Sequence, residues 1–509
     1  MKLHEWQIEC LNLWAKNKYR GIVNAVTGSG KTTLALSAVR RLQEDAGWEL
    51  RVKIVVPQTF LAGQWKDEIK RQLGALPADI GLYCGKRKDT DKKYMIYVVN
   101  SARYNLARHV LSSLKKGCAV FLIADECHHY GSSENSRIFD FYKTLGDNAP
   151  YYALGLSATP EIVNFDAITI PLGTEIYYYD LDRAMRDRII SRFILFSVRL
   201  EFTPNEHEDY IDLTESLSKI IASLMKMRPE LRDMPSDRYF AYLQRLSNQN
   251  SEAGQTAHNA LLLMYHRKTL CHMAKARPAC ALSIVKALPA EARIILFCER
   301  IKSAEALFAS LSEQFPKQAG LYHSKMTDHS RQDVLQRYKL GSLRLLVCCK
   351  ALDEGLNIPS TDAGIIVSTS MSARQRVQRL GRMLRLSKKV KQIFYLYIGQ
   401  SSEDSELVRG LNATGSRIPL ITLRYLKGLF IHTEYERLRE HVLGHVYRKR
   451  NDAALLDILD KNLGQVLLRG DFLFSESKCR ENIQRGNTVA ERNYWVSVLY
   501  IVLARMGKL

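Results

Sequence analysis

The chain lacks the features that would place it in several large protein classes. Its ten cysteines are scattered, with no Cys-x-x-Cys and no Cys/His cluster at zinc spacing; Cys271, His272 and Cys280 come nearest and lack a fourth ligand. This excludes a disulfide scaffold and a zinc module, and reduced thiols in a cytoplasmic protein are expected. No N-terminal charged-then-apolar targeting segment is present, and apolar runs such as Val496 to Ala504 fall well short of the roughly 20 residues that span a bilayer. No membrane association is expected. Acids are scarce relative to bases: 53 Asp and Glu face 74 Lys and Arg, for a net charge of +21. That imbalance favours a polyanionic partner such as nucleic acid, although a basic solvated surface gives the same sum. What remains is ordinary globular composition, 46% hydrophobic and 25% charged over 509 residues, enough for two or three domains with their own cores.

The most informative stretch is Ala25-Val26-Thr27-Gly28-Ser29-Gly30-Lys31-Thr32. Gly21 to Ala25 before it is short, apolar and β-branched, and Thr33 to Leu42 after it has helical spacing. Strand, Gly-rich turn and helix make a phosphate-binding loop. Gly28 and Gly30 let backbone N–H groups close around phosphate oxygens, and the helix N-terminus adds its positive end. Lys31 reaches the terminal phosphates and Thr32 offers a hydroxyl to Mg²⁺. Thr27, Ser29 and Thr33 complete the candidate nucleotide-binding set. The usual first glycine of the pattern is Ala25 here. Upstream, an amphipathic helix with Leu3, Trp6, Cys10, Leu13 and Trp14 on one side carries Gln7, whose amide suits an adenine edge; a surface glutamine is the alternative.

Further strand ends carry polar groups. Arg51 to Val56 leads into Pro57-Gln58-Thr59-Phe60-Leu61 and a helix with Gln64 and Trp65; Tyr94 to Val99 leads into Asn100-Ser101-Ala102-Arg103. Such ends suit a phosphate backbone held without reading bases. The unbroken apolar run Ala119 to Ala124 reads as a strand buried on both faces, with Asp125 and Glu126 at its carboxyl end. Adjacent buried acids need a cation, so nucleotide-bound Mg²⁺ is the natural partner of Asp125, leaving Glu126 to activate water. Tyr151 to Leu156 ends in Ser157-Ala158-Thr159-Pro160, which puts hydroxyls near the acidic pair if the two strands are neighbours.

From about Tyr177 to Lys286 the pattern is helical and charged, a connector with Arg232, Arg238 and Arg245 on its candidate nucleic-acid face; a solvated linker is the alternative. Strand and helix alternation resumes at Ile294–Cys298, Gly320–His323, Leu343–Cys349, Gly364–Thr369 and Ile393–Ile398. Between residues 374 and 391 stand eight basic residues and no acid, with Arg376, Arg379, Arg382 and Arg385 recurring every third residue along one helix face. Presented to a nucleotide, Arg382 and Arg385 can neutralise charge developing on the γ-phosphate; a plain nucleic-acid-binding helix competes with this reading. Helices are expected at Leu420–Leu429, Tyr435–His445, Ala453–Leu468 and Ala490–Met506. Asp471, Glu476 and Lys478 echo a nuclease D…ExK pattern at too short a spacing.

Taken in order, Gln7, the loop ending Gly30-Lys31-Thr32, Asp125-Glu126-Cys127-His128 as a DExH box, and Ser157-Ala158-Thr159 resemble the superfamily 2 helicases and translocases. The His128-His129 doublet and the Pro57, Thr59, Leu61, Gln64, Trp65 pattern are most similar to the XPB-like branch and the motor subunits of restriction enzymes. Ala351 to Pro359 and Gln375 to Arg385 resemble motifs V and VI of that superfamily, with QRxGRxxR matched from Gln378 to Arg385. Asn357 stands where Asp is frequent. The resemblance covers roughly residues 1–400 and implies ATP and Mg²⁺ as cofactors, with DNA favoured over RNA as partner. It implies an α/β fold of two tandem RecA-like doubly wound parallel sheets, with a helical insertion and a helical C-terminal domain. The corresponding boundaries are 1–200, 201–286, 287–400 and 401–509. Catalysis falls to Glu126, Asp125, Lys31, Gln378, Arg382 and Arg385; Gly355 and Asn357 join the nucleotide contacts. Pro57, Thr59, Ser101, Arg103 and Arg379 would hold the nucleic acid, and His128, Ser157 and Thr159 would couple the two ligands. The tail is expected to dock a protein partner or guide nucleic acid. The alternative from another class is an ATP switch or structural subunit that recruits a nuclease or other partner in a defence or repair complex.

Overall fold

The computed structural model describes residues 3–45, 49–146, 148–158, 166–349, 361–369, 390–404, 418–449 and 452–509. These form two compact units, the first ending at Arg192 and the second beginning at Phe193.

The first unit is built on an eight-stranded sheet. Its strands are β1 (Arg20–Ala25), β2 (Leu50–Val56), β3 (Ile80–Cys84), β4 (Arg87–Lys88), β5 (Tyr94–Val98), β6 (Ala119–Ala124), β7 (Tyr151–Ser157) and β8 (Glu175–Tyr179), in the spatial order β4-β3-β5-β2-β6-β7-β1-β8. All pairings are parallel except that of the two-residue edge strand β4. Parallel pairing requires crossover connections, which the helices Lys31–Asp45, Thr59–Leu73 and Leu106–Lys115 provide. Every residue of β5 and β6 is buried, as expected of strands covered on both faces. Because the strands run the same way, the carboxyl ends of β1, β2, β5, β6 and β7 open on one edge of the sheet.

The second unit has its own eight-stranded sheet of β9 (Phe193–Leu200), β10 (Ile294–Cys298), β11 (Ala319–Tyr322), β12 (Leu345–Cys349), β13 (Ala363–Ile366), β14 (Lys391–Ile398), β15 (Leu420–Leu426) and β16 (Leu429–Ile431), ordered β11-β12-β10-β13-β14-β9-β15-β16. Four differences from the sequence reading follow. Residues Tyr177 to Pro204 are not helical throughout, since β8 and β9 occupy much of the stretch. β9 pairs with β14 along its whole length and with β15 over Leu195–Arg199, so the first unit ends at Arg192 and not at residue 200. Leu420–Leu429 is a hairpin: Ile421 and Leu423 are buried while Thr422 and Arg424 are exposed, the period-2 alternation of a strand with one wet face. Finally, the tail is not a separate helical domain. Helices Thr433–Lys449, Ala453–Arg469 and Val489–Arg505 bury Val442, Leu459, Leu463 and Val498 in the same core as Phe196 and Phe394 of the sheet.

Between β9 and β10 lie helices Pro204–Met227, Ser236–Ser247, Glu252–Met273 and Ala276–Ala287. The outer part of this insertion has a small core of its own around Leu224, Leu231, Leu243 and Leu246. No described helix is long and apolar enough to cross a membrane, and no metal-holding His/Cys/Asp/Glu cluster occurs among the described residues.

Candidate active site

The phosphate loop follows β1. Gly28 and Gly30 have φ of 84° and 98°, a region open to glycine and strained for other residues. Ser29 Oγ donates to the Val26 carbonyl at 2.7 Å and fixes the turn. The helix then begins at Lys31, so its first-turn N–H groups have no acceptor within the helix and face the loop opening. Lys31, nearly buried, folds its Nζ back onto the Ala25 carbonyl at 2.8 Å, the position from which an ammonium can move to a phosphate. The cradle thus has the backbone freedom, donors and cation that a triphosphate needs. Thr33 lies in the same first turn, where its Oγ1 accepts from Gln72 Nε2 at 3.3 Å.

Gln7 is brought to this loop from the N-terminal helix Glu5–Lys16. It is 1% exposed; its Oε1 accepts from the His4 backbone at 2.9 Å, and its Nε2 donates to the Gly30 carbonyl at 3.0 Å. The amide is therefore the loop's brace, and any contact with a base requires it to exchange one of these bonds.

Asp125 and Glu126 leave the end of β6, two strand spacings, or about 10 Å, from the end of β1, with β7 between. Asp125 is held from four directions. Its N–H bonds the Val55 carbonyl at 2.9 Å, and its carbonyl accepts from Tyr130 Oη at 2.8 Å. Its Oδ1 accepts from the Glu126 backbone at 3.1 Å, and its Oδ2 accepts from Trp65 Nε1 at 2.8 Å. Glu126 adopts φ 48°, a left-handed conformation costly for a residue with a Cβ and characteristic of functional sites. His128 Nδ1 lies 3.7 Å from Glu126 Oε2 and 3.1 Å from Ser157 Oγ, so the histidine bridges the acid and the end of β7. Burial pushes the Cys127 thiol and the Tyr130 phenol up, with Asp125 and Glu126 adding to the shift; both remain neutral packing groups.

Pro57 and Thr59 follow β2, and Ser101 and Arg103 follow β5, on the same edge of the sheet. Ser101 Oγ accepts from the Gly85 backbone at 3.2 Å. Arg103 is oriented by Asn135 at 2.9 Å and Asn100 at 2.6 Å. Thr159, Gly355, Asn357, Gln378, Arg379, Arg382 and Arg385 lie outside the described residues. Sequence reasoning noted Trp65 as part of a pattern and missed its bond to Asp125; its place in the helix after β2, the strand next to β6, is the signal that points to it. Asp471, Glu476 and Lys478 do not converge on a site: they bond Tyr494, Arg480 with Lys508, and Glu481 respectively.

Residues 1–162 match the family model "Type III restriction enzyme, res subunit", and residues 278–387, which include Gln378 to Arg385, match "Helicase conserved C-terminal domain". The chain carries the two conserved domains of a superfamily 2 helicase. It is similar to the DNA 3'-5' translocase XPB2 of Sulfurisphaera tokodaii, 27% identical over 76% of this chain and 79% of that protein. It is also similar to the putative DNA 3'-5' helicase Rad25 of Haloarcula marismortui, 22% identical over 78% of this chain and 53% of that protein. The chain thus spans about half the length of the Rad25 relative. Among solved structures, the DNA-bound DUF1998 helicase MrfA aligns with a TM-score of 0.55 at 13% identity, over 82% of this chain and 50% of that one. The Pyrococcus furiosus Hef helicase domain aligns with a TM-score of 0.50 at 17% identity, over 80% and 98%. These likenesses show the fold alone, the α/β sheets of a RecA-like architecture.

Proposed function

We propose that the chain is an ATP- and Mg²⁺-dependent DNA helicase or translocase whose ATPase is stimulated by nucleic acid. The observation that carries this reading is the meeting, on one sheet edge, of the Gly28–Thr32 cradle with the Asp125–Glu126 pair and the His128–Ser157 bridge. Lys31 swings from the Ala25 carbonyl to the terminal phosphates, and Thr32 and Asp125 hold the metal. Bound Mg²⁺ supplies charge neutralisation on the phosphates. Glu126, aimed by its strained backbone, takes the proton of the attacking water. His128 and Ser157 link that event to the neighbouring strand ends. There Pro57, Thr59, Ser101 and Arg103 contact the phosphate backbone, with Arg379 joining them. Arg382 and Arg385, with Gln378, stabilise charge at the γ-phosphate, while Gly355 and Asn357 add nucleotide contacts. Backbone contacts of this kind predict binding that weakens steeply with salt and shows little base preference.

The deciding experiment is Glu126→Gln. The variant is expected to bind a fluorescent ATP analogue normally and to hydrolyse ATP at least about a hundredfold more slowly in the presence of duplex DNA, the usual contribution of a general base. Normal turnover removes Glu126 from that role, and a wild-type chain that binds but does not hydrolyse ATP with any nucleic acid is a switch and not a motor.

A further inference from the structure

Within the helical insertion, helix Pro204–Met227 carries its acids at one end. At the insertion's outer end, Arg232, Arg238 and Arg245 are exposed. At its base, the first half of helix Pro204–Met227 carries Glu206, Glu208, Asp209, Asp212 and Glu215 with no Lys or Arg before Lys219, on a chain of net charge +21. Along a helix that rises about 1.5 Å per residue, the Glu206–Glu215 stretch lies about 18 Å from its far end at Met227, the end that leads toward those arginines.

At the base, two helix faces oppose each other. Asp209, Asp212, Leu213 and Ser216 stand at i, i+3, i+4 and i+7 on helix Pro204–Met227; His266, Thr269, Leu270 and Met273 stand at the same spacing on helix Glu252–Met273. Between them runs an open groove of about 570 Å³. Leu213, Leu270 and Met273 give it an apolar floor, and Met273 is 39% exposed. Asp209 and Asp212 are exposed on one rim and form no ion pair among the described residues.

We propose that this groove docks an amphipathic, positively charged helix of a protein partner. An i, i+3, i+4, i+7 stripe on each wall is the surface into which a third helix lays its apolar face. The unpaired rim carboxylates select lysine or arginine flanking that face. The same two acids, with Glu208 beside them, disfavour a phosphodiester backbone along that rim, which separates this surface from the exposed arginines at the outer end. The groove is lined by residues of the insertion alone, none of them from the tail helices.

The test uses the full chain and three labelled 18-residue peptides read by fluorescence anisotropy. One is amphipathic, with leucines on one face flanked by lysines; the second is its scrambled copy; the third has glutamate in place of each lysine. The amphipathic basic peptide is expected to bind about tenfold more tightly than either control, the sum of a few exposed ion pairs added to apolar contact. Asp209→Lys with Asp212→Lys is expected to abolish that preference and to bind the glutamate peptide instead, with an unchanged unfolding midpoint. Leu213→Glu is expected to weaken both. Equal binding of the scrambled peptide reduces the effect to general electrostatics and overturns the proposal. So does an unchanged preference in the double variant.

Discussion

Trp65→Phe isolates one atom of the candidate active site. Trp65 is 2% exposed and Asp125 9%, and the indole N–H reaches Asp125 Oδ2 at 2.8 Å. Phenylalanine keeps most of the packing and removes the donor. A hydrogen bond to a charged group contributes about 1.5–3 kcal/mol, and here it also fixes which carboxylate lone pairs are left for a metal. Losing a bond that orients a metal ligand typically costs about 10–100-fold in metal affinity. The expected result is therefore a 10–100-fold rise in the Mg²⁺ concentration that half-saturates ATPase, with kcat recovering at saturating Mg²⁺. Trp14→Phe is the control: it loses a comparable buried bond, 2.9 Å to the Ala153 carbonyl, with no tie to the acidic pair. Steady-state ATPase titrated with Mg²⁺, together with thermal unfolding of both variants, reads the difference. If both variants lose similar stability and neither shifts the Mg²⁺ curve, Trp65 is packing alone and the assignment of Asp125 to the metal loses its structural support.

Three other perturbations test the loop, the arginine motif and the second unit. Gly30→Ala places a Cβ 2.8 Å from Gln7 Nε2 at φ 98°, and is expected to cost about 1–3 kcal/mol and to weaken ATP binding. Adding Gln7→Ala clears the contact but not the backbone strain, so a full recovery in denaturant melts would refute the strain argument. Arg385→Ala is expected to leave the ATP dissociation constant nearly unchanged while single-turnover hydrolysis falls by about three to five orders of magnitude; a loss of affinity alone would argue against a transition-state role. Burial raises the Asp471 carboxyl from 3.8 to about 6, against opposing effects of Tyr494 and Arg469. Because the folded value lies above the unfolded one, Asp471 favours folding below pH 3.8, and that contribution is lost as pH rises through 6. The change is roughly 3 kcal/mol. Asp471→Asn removes the dependence, so the difference in unfolding midpoint between variant and wild type should grow from pH 4 to pH 7.

What was legible in the sequence and what was not divides along a physical line. Strands such as Ala119–Ala124 and Ile294–Cys298 were readable to the residue because they are covered on both faces, which demands an unbroken apolar run between polar ends. The polar ends then pointed to the candidate nucleotide-site residues of the first unit, since a parallel sheet gathers its carboxyl ends on one edge whatever the strand order. β9 was hidden for the opposite reason. Phe193–Leu200 is apolar apart from Ser197 and Arg199, but its neighbours in the sheet, β14 and β15, arrive roughly 200 residues later in the chain, and no local pattern states which sheet a strand joins. The bond from Trp65 to Asp125 was hidden in the same way, since it spans 60 positions of sequence and depends on β2 lying beside β6. The error at Leu420–Leu429 is of another kind, because there the local signal was present. Buried Ile421 and Leu423 alternate with exposed Thr422 and Arg424, and Leu426 pairs with Leu429 across the two-residue turn Lys427-Gly428, whose φ values of 49° and 87° are both positive. That is the turn a tight hairpin requires, and Lys-Gly between apolar runs announces it. The apolar composition of the stretch satisfies a helical count as readily as a strand one, and the glycine decides between them. The consequence reaches function: with β15 and β16 in the sheet and the following helices packed onto its core, the tail spends Val442, Leu459, Leu463 and Val498 on folding, while Tyr447, Val489 and Met506 stay exposed. The groove on the insertion differs from these side chains in joining an apolar floor to the carboxylates of Asp209 and Asp212, which makes it the more specific place to look for a protein partner.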